Sequence, residues 1–364
     1  MNRIILIGNG FDRSLNLPTG YSHFLDWIFR DTLKFIIDNV PIGNFYGGRD
    51  YSSENDLFSF QINGHTLVWV KSLFDDNRDY KYYSEERKRI ETQQYFNFTL
   101  RPHHPFISLL FDVYDSKGWV DIEQLYFNTL LRVKSEGIDD FNHIFSIVRG
   151  RLSKYLEGLH NQKNDAETLD KYRRHFFGST LKYNPRFQSY EESKAKPKSY
   201  YFVNFNYTWF LRYLLDYAPK DVENDIIINN IHGEIKNYPI IFGYGNETGE
   251  EYSRLENLGN EFLENIKSTH YFNSTHYRDL ERQLGEPYEV YVYGLSCGLS
   301  DNILLKTIMQ RPNCQQIRIF YHKESNGDNF RSTLMNISRV FDNKEEMRSK
   351  IISKQENDFI PQVD

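Results

Sequence analysis

Cysteine is nearly absent from this chain. Its 364 residues include two, Cys297 and Cys314, too few for a four-thiolate zinc site or a disulfide framework. That scarcity leads us to expect a reducing, cytoplasmic setting. Methionine (4) and proline (11) are also sparse. No apolar run approaches the roughly 18 residues of a membrane-spanning helix, and no charged leader with a cleavage site precedes the first strand, so neither membrane insertion nor export is expected. Positive charge is not in excess either. A net charge of −6 gives no general attraction to phosphate backbones, which counts against a nucleic-acid partner. A His-Glu-x-x-His motif is missing, and His103-His104, flanked by Pro102 and Pro105, reads as a loop or the start of a helix. No metal and no bound cofactor are expected.

Rings are abundant: 27 Tyr and 28 Phe. Aromatic side chains bury large areas each, so packing should be dominated by them. The length allows two lobes or one large decorated domain.

The chain is organised around its start. Arg3-Ile4-Ile5-Leu6-Ile7 is a strand-forming run that stops at Gly8-Asn9-Gly10-Phe11-Asp12, and Leu17 to Gly20 then opens a helical segment in which Tyr21, Phe24, Leu25, Ile28, Leu33 and Ile36 recur at helical spacing. A strand, a glycine turn and a helix form the first unit of a nucleotide-binding α/β sheet. A tight turn without a ligand is the plainer alternative.

Residues 41–56 read as a loop, Phe58 to Gly64 as a strand and turn, Leu67 to Phe74 as helix or strand, and Asp75 to Arg89 as a charged surface. Helices are predicted over Phe106 to Tyr114, Asp121 to Val133 (with Asp121 as N-cap) and Phe141 to Leu159. Glu123 is either a buried acid or a first-turn Glu favoured by the helix dipole. Residues 160–198 read as a polar connector rather than core.

The α/β pattern resumes with strands at Tyr200 to Phe205, Ile226 to Ile231, Ile240 to Tyr244, Glu289 to Tyr293 and Gln316 to His322, followed by helices and a frayed end. The expected fold is α/β: a Rossmann-like parallel sheet from residues 1–20 and 199–342, a large mainly helical insertion over 21–198 acting as a cap, and a C-terminal helix and tail over 343–364. Polar or glycine motifs close these strands near residues 8, 206, 232, 243 and 294. Ligands of open parallel sheets bind outside the carboxyl ends of the strands, so these motifs should converge. Singly, Asn206 reads as a helix cap, His232 as a turn residue and Gly294 to Gly298 as a flexible loop.

Gly8-Asn9-Gly10-Phe11-Asp12 with Leu17-Pro18-Thr19 and Tyr21-x-x-Phe24 resembles the opening of the AbiH family of phage abortive-infection proteins. The resemblance continues through Trp119-x-Asp121-x-Glu123, Phe205-Asn206-Tyr207-Thr208, Asn230-Ile231-His232-Gly233 and Gly294-x-Ser296-x-x-x-Ser300-Asp301. More remotely, the layout is similar to the Sir2-like superfamily. That resemblance implies that Asn206 binds ribose hydroxyls or positions a water and that His232 is a general base. It places Gly8 to Gly10 against a pyrophosphate and Gly294 to Ser296 on the adenosine side. Asn9, Phe11, Asp12, Thr19, Tyr207, Gly233 and Asp301 complete the implied nucleotide site. Two departures stand out: Thr208 replaces the usual Asp, and Asn9 the usual Ala. Asp12 or Asp301 is the candidate replacement acid.

The leading expectation is an anti-phage effector that hydrolyses NAD or a related nucleotide. The alternatives are a nucleotide-binding switch without turnover and a nuclease using Asp12, Glu123 and Asp301 around magnesium. Expected partners are the nucleotide and a phage-derived trigger or partner defence protein, with a homo-oligomer as a further candidate.

Overall fold

The computed structural model describes residues 1–40, 50–63, 98–112, 119–159, 166–216, 225–235, 239–324 and 327–362. Most of the 41–56 loop, the Leu67 to Phe74 stretch and the charge run from Asp75 to Arg89 lie outside the described residues. The chain divides into two compact units, Met1–Thr19 with Leu156–Asp364, and Gly20–Tyr155.

Five parallel strands form the centre of the first unit: β1 (Asn2–Ile7), β2 (Ser199–Asn204), β3 (Asp225–Asn230), β4 (Tyr288–Tyr293) and β5 (Cys314–Phe320). They lie side by side in the order β5-β4-β1-β2-β3. Crossovers place helices on both faces of a parallel sheet, so its inner strands read as unbroken apolar runs. Every residue of β1 and β4 is buried. Alternate residues divide between two cores, as a period of two requires. Ile4, Leu6, Val290 and Val292 cluster with Leu280, Leu304 and Ile308. Ile5, Ile7, Tyr291 and Tyr293 cluster with Tyr172, Phe176 and Leu214. The first core is closed by the helices His276–Gln283, Asn302–Met309 and Phe330–Val340. The second is closed by Ala166–Phe177 and Phe210–Asp216. The expected α/β class with a parallel sheet is the observed one.

One charge enters this core from β1. Arg3 is fully buried, pairs with Glu289 at 2.7 Å, donates to the carbonyls of Phe176 and Gly178 at 2.7 Å each, and lies 4.2 Å from the Tyr291 ring centre. A buried guanidinium is tolerated only when its donors are matched in this way.

The strand order decides where a site can form. From β1 the chain steps outward through β2 to β3, then returns to the other side of β1 for β4 and β5. The order therefore reverses between β1 and β4, the switch point of doubly wound sheets. Ile7 pairs with both Asn204 and Tyr293, and Asn204 pairs with Asn230. The segments that follow, beginning at Gly8, Phe205, Ile231 and Gly294, thus leave the sheet at one level.

The second unit holds the helices Tyr21–Asn39, Pro105–Asp112 and Trp119–Leu130 and all but the last two residues of Ile138–Glu157, with an antiparallel sheet of Asp50–Glu54, Phe58–Asn63 and Phe98–Pro102. Phe29, Leu33 and Ile36 pack with Phe60 and Ile62. The His103-His104 pair does start a helix, His104 Nδ1 accepting from the Phe106 amide at 3.0 Å.

Several local expectations are corrected. A short helix, Asn9–Ser14, follows Gly8 directly, ahead of the helix that begins at Tyr21. Residues 50–54 form a strand because Phe58–Asn63 pairs with them. Asp121 lies inside its helix instead of capping it. Glu123 is buried, and because its helix starts at Trp119 it lies beyond the first turn. The expected connector contains the helix Ala166–Phe177, whose Leu169, Tyr172 and Phe176 enter the core, and a hairpin, Leu181–Asn184 with Ser189–Glu192. Ile240 to Tyr244 is irregular and makes a single bridge, Tyr244 with Ile266. The tail is not frayed: Ile351 and Phe359 bridge to Ile317 and Tyr321, and Ile360 is fully buried.

Candidate functional site

The turns after β1 and β4 interlock. The Gly10 amide donates to the Gly294 carbonyl at 2.8 Å, the Gly8 amide to the Tyr293 carbonyl at 3.1 Å, and the Phe11 amide to the Gly8 carbonyl at 2.9 Å. A Cβ on Gly8 would lie 2.5 Å from Leu295 Cα, and one on Gly10 2.7 Å from the Gly294 oxygen. The glycines are required by each other's backbone. These three N–H groups are bonded within the protein and are not free to hold a pyrophosphate. Asn9 and Thr19 satisfy one another: Asn9 Nδ2 donates to the Thr19 carbonyl at 3.0 Å, and Thr19 Oγ1 donates to Asn9 Oδ1 at 2.6 Å. Phe11 points into the core against Tyr172, Phe176 and Tyr293.

Asp12 comes next and is almost completely buried. Its Oδ1 accepts from Asn206 Nδ2 at 3.1 Å and its Oδ2 from Thr208 Oγ1 at 2.7 Å. Burial pushes the Asp12 carboxyl up to about 7, against the downward pull of the Thr208 and Asn206 hydrogen bonds. Asn206 Nδ2 also donates to the Gly8 carbonyl at 3.1 Å, so both amide hydrogens are used and Oδ1 is what the side chain can offer a ligand. Asn206 therefore does not act as a helix cap. Thr208, the departure from the Sir2-like pattern, has a clear function: it meets a carboxylate delivered from the other strand end.

A second buried group assembles around His232. Its Nε2 lies 3.1 Å from Asp301 Oδ1 and 3.2 Å from the Tyr271 hydroxyl, while Lys267 Nζ lies 2.8 Å from the same Asp301 oxygen. Burial would raise the Asp301 carboxyl, but Lys267 and His232 reverse this and hold it well below the usual carboxylate range. The Cys297 thiol is pushed well up by burial and by Asp301. The imidazole neighbours the rings of Tyr207 and Tyr271, 6.3 and 6.2 Å away between centres, with Phe205 edge-on at 5.1 Å. Gly233 then turns the chain at φ +82°. Phe205 and Tyr207 are the chain neighbours of Asn206, so the two groups adjoin. Asp301 follows β4 and His232 follows β3, three strand spacings apart, or about 14 Å. The segment from Gly294 to Asp301 therefore runs across the end of the sheet.

The structure thus brings together Gly8, Gly10, Asp12, Asn206 and Gly294 in one cluster, and Tyr207, His232, Gly233 and Asp301 in the other. Ser296 is exposed and engages Asn336 only through its carbonyl. Sequence reasoning missed Lys267 and Tyr271, which lie in a charged helical stretch with nothing local to mark them. Of the carboxylates in the nuclease alternative, Asp12 and Asp301 have separate partners, and among the described residues no three His, Cys, Asp or Glu side chains are placed to hold a metal ion.

No helix among the described residues is long and apolar enough to cross a membrane. Residues 4–323 match the family model described as "Bacteriophage abortive infection AbiH". No curated protein and no solved structure gives a significant match.

Proposed function

The chain belongs to the AbiH family of bacteriophage abortive infection proteins, and from that role we propose that it binds NAD, or a related nucleotide, at the carboxyl end of its parallel sheet and hydrolyses the nicotinamide–ribose bond. The observation that carries this reading is the burial of Asn206 and His232 at successive strand ends, each held by its own carboxyl group, Asp12 and Asp301.

Cleavage passes through an oxocarbenium-like state. The bond between ribose C1′ and the nicotinamide nitrogen breaks, its electron pair stays with the departing neutral nicotinamide, and a water oxygen bonds to C1′. Asn206 Oδ1 accepts a hydrogen bond from a ribose hydroxyl or from that water and fixes its position. His232 takes the proton that the water loses. The products are ADP-ribose, nicotinamide and a proton.

Purified protein incubated with NAD should release nicotinamide, measured by mass spectrometry. His232→Ala and Asn206→Ala should each release it on the order of 100-fold more slowly, or not at all, the scale of losing one positioned catalytic group. Full activity in His232→Ala would remove that residue's role. Because His232 is only 3 % exposed, a second reading has its own support: nucleotide binding that switches the protein without turnover. Retained NAD with no nicotinamide from any sample would select it.

A further inference from the structure

We propose that Lys267 and Asp301 are positioning residues that set the working form of His232, Lys267 anchoring the Asp301 carboxylate and Asp301 holding the proton of the imidazole on Nε2. The inference rests on the reading of His232 as the base.

Both polar contacts of the His232 ring among the described residues are at Nε2, to Asp301 Oδ1 at 3.1 Å and to the Tyr271 hydroxyl at 3.2 Å. A neutral imidazole carries one N–H. A carboxylate accepts that N–H and cannot donate in return, so Nε2 is the protonated nitrogen and Nδ1 keeps the lone pair. When Nδ1 takes a proton from water, the imidazolium formed lies beside an anion already in place. Lys267, 1 % exposed, shares the same carboxylate oxygen at 2.8 Å. It keeps Asp301 ionised and fixed, yet its ammonium opposes a second positive charge on the ring. The pair thus acts on the base with two opposed charges, the carboxylate the nearer. Among the described residues the other groups against the ring are Tyr207, Tyr271 and the edge of Phe205, none of them charged, and Cys297 beside Asp301 is held as the thiol.

The test is nitrogen-15 NMR of the full chain labelled in histidine, without nucleotide, with the His232 signals identified by their loss in His232→Gln. The wild type should show the Nε2-protonated tautomer. The Asp301→Asn variant should lower the His232 titration midpoint by about one pH unit or more, and Lys267→Met should raise it, since an opposite or like charge within a few ångströms shifts a titration by that order. Opposite signs separate this role from general damage, which would move both variants the same way. A wild-type Nδ1-protonated tautomer, or midpoints that move together or not at all, overturns the proposal. If either variant fails to fold, the wild-type tautomer still decides. Nicotinamide release, measured on the same samples, reports separately on the hydrolase reading.

Discussion

Gly294→Ala is expected to cost the protein about 4 kcal/mol, most of the stability of a domain at the low end of the ordinary range. Two penalties add. Gly294 has φ +66°, a left-handed conformation that costs an L-residue roughly 1–2 kcal/mol. Its added Cβ would also lie 2.3 Å from the Phe11 nitrogen and 2.7 Å from the Gly10 carbonyl carbon. Both atoms are backbone, and Phe11 is locked in the second core, so neither can yield as the end of a flexible side chain could. Overpacking of this kind costs roughly 1–3 kcal/mol, occasionally more. The matched control is Gly150→Ala. Gly150 lies in the helix Ile138–Glu157, is exposed, and has nothing within 4 Å of an added Cβ, so alanine there should stabilise by about 0.5–1 kcal/mol. Urea denaturation of the two variants should move in opposite directions. A Gly294→Ala midpoint equal to that of the wild type would mean that the turns after β1 and β4 do not interlock.

That interlock shows how much of the site can be read from sequence. The glycines are visible there, and so are the strands before them, because a parallel strand buried on both faces is an apolar run that needs no knowledge of its neighbours. What the glycines are for is not visible. A glycine that admits a phosphate and one that admits another backbone leave the same letter, and only the pairing of Ile7 with Tyr293 distinguishes them here. The helix Ala166–Phe177 is hidden for another reason. Leu169, Tyr172 and Phe176 have helical spacing, but Asp170, Lys171, Arg173 and Arg174 lie between them, and the stretch reads as polar on average. Ile240 to Tyr244 misleads in the opposite sense, with apolar residues that bury individually but make no ladder. Lys267 illustrates the sharpest limit. Its partner Asp301 is 34 residues away, and a lysine in a charged segment is ordinarily a solvated one.

The second large effect is on pH dependence, and it belongs to Asp12. In the unfolded chain its carboxyl titrates near the ordinary 3.8, whereas in the fold burial moves it to about 7. The native state therefore binds the proton more tightly than the unfolded state between those values. By linkage the contribution of Asp12 to stability falls as pH rises through this interval, and it is constant below and above it. A displacement of about three pH units corresponds to about 4 kcal/mol, at roughly 1.4 kcal/mol for each. Asp12→Asn removes the ionisation while keeping the shape. The introduced amide can accept from Asn206 through its oxygen, and the Thr208 hydroxyl, able to donate or accept, can turn to receive its N–H. The stability of the variant relative to wild type should therefore rise by about 4 kcal/mol between about pH 4 and pH 8, measured by denaturant titration at each pH. Parallel profiles would place the Asp12 titration outside this range. An acid that weakens the fold at neutral pH, inside a cluster that could have been built from amides and hydroxyls alone, is a stability cost of the kind that accumulates where a site needs a particular protonation state. Its position against Asn206 puts it at the same end of the sheet as His232. The hydrolysis proposed above, which activates a water, has use for a carboxyl that can gain and lose its proton near pH 7.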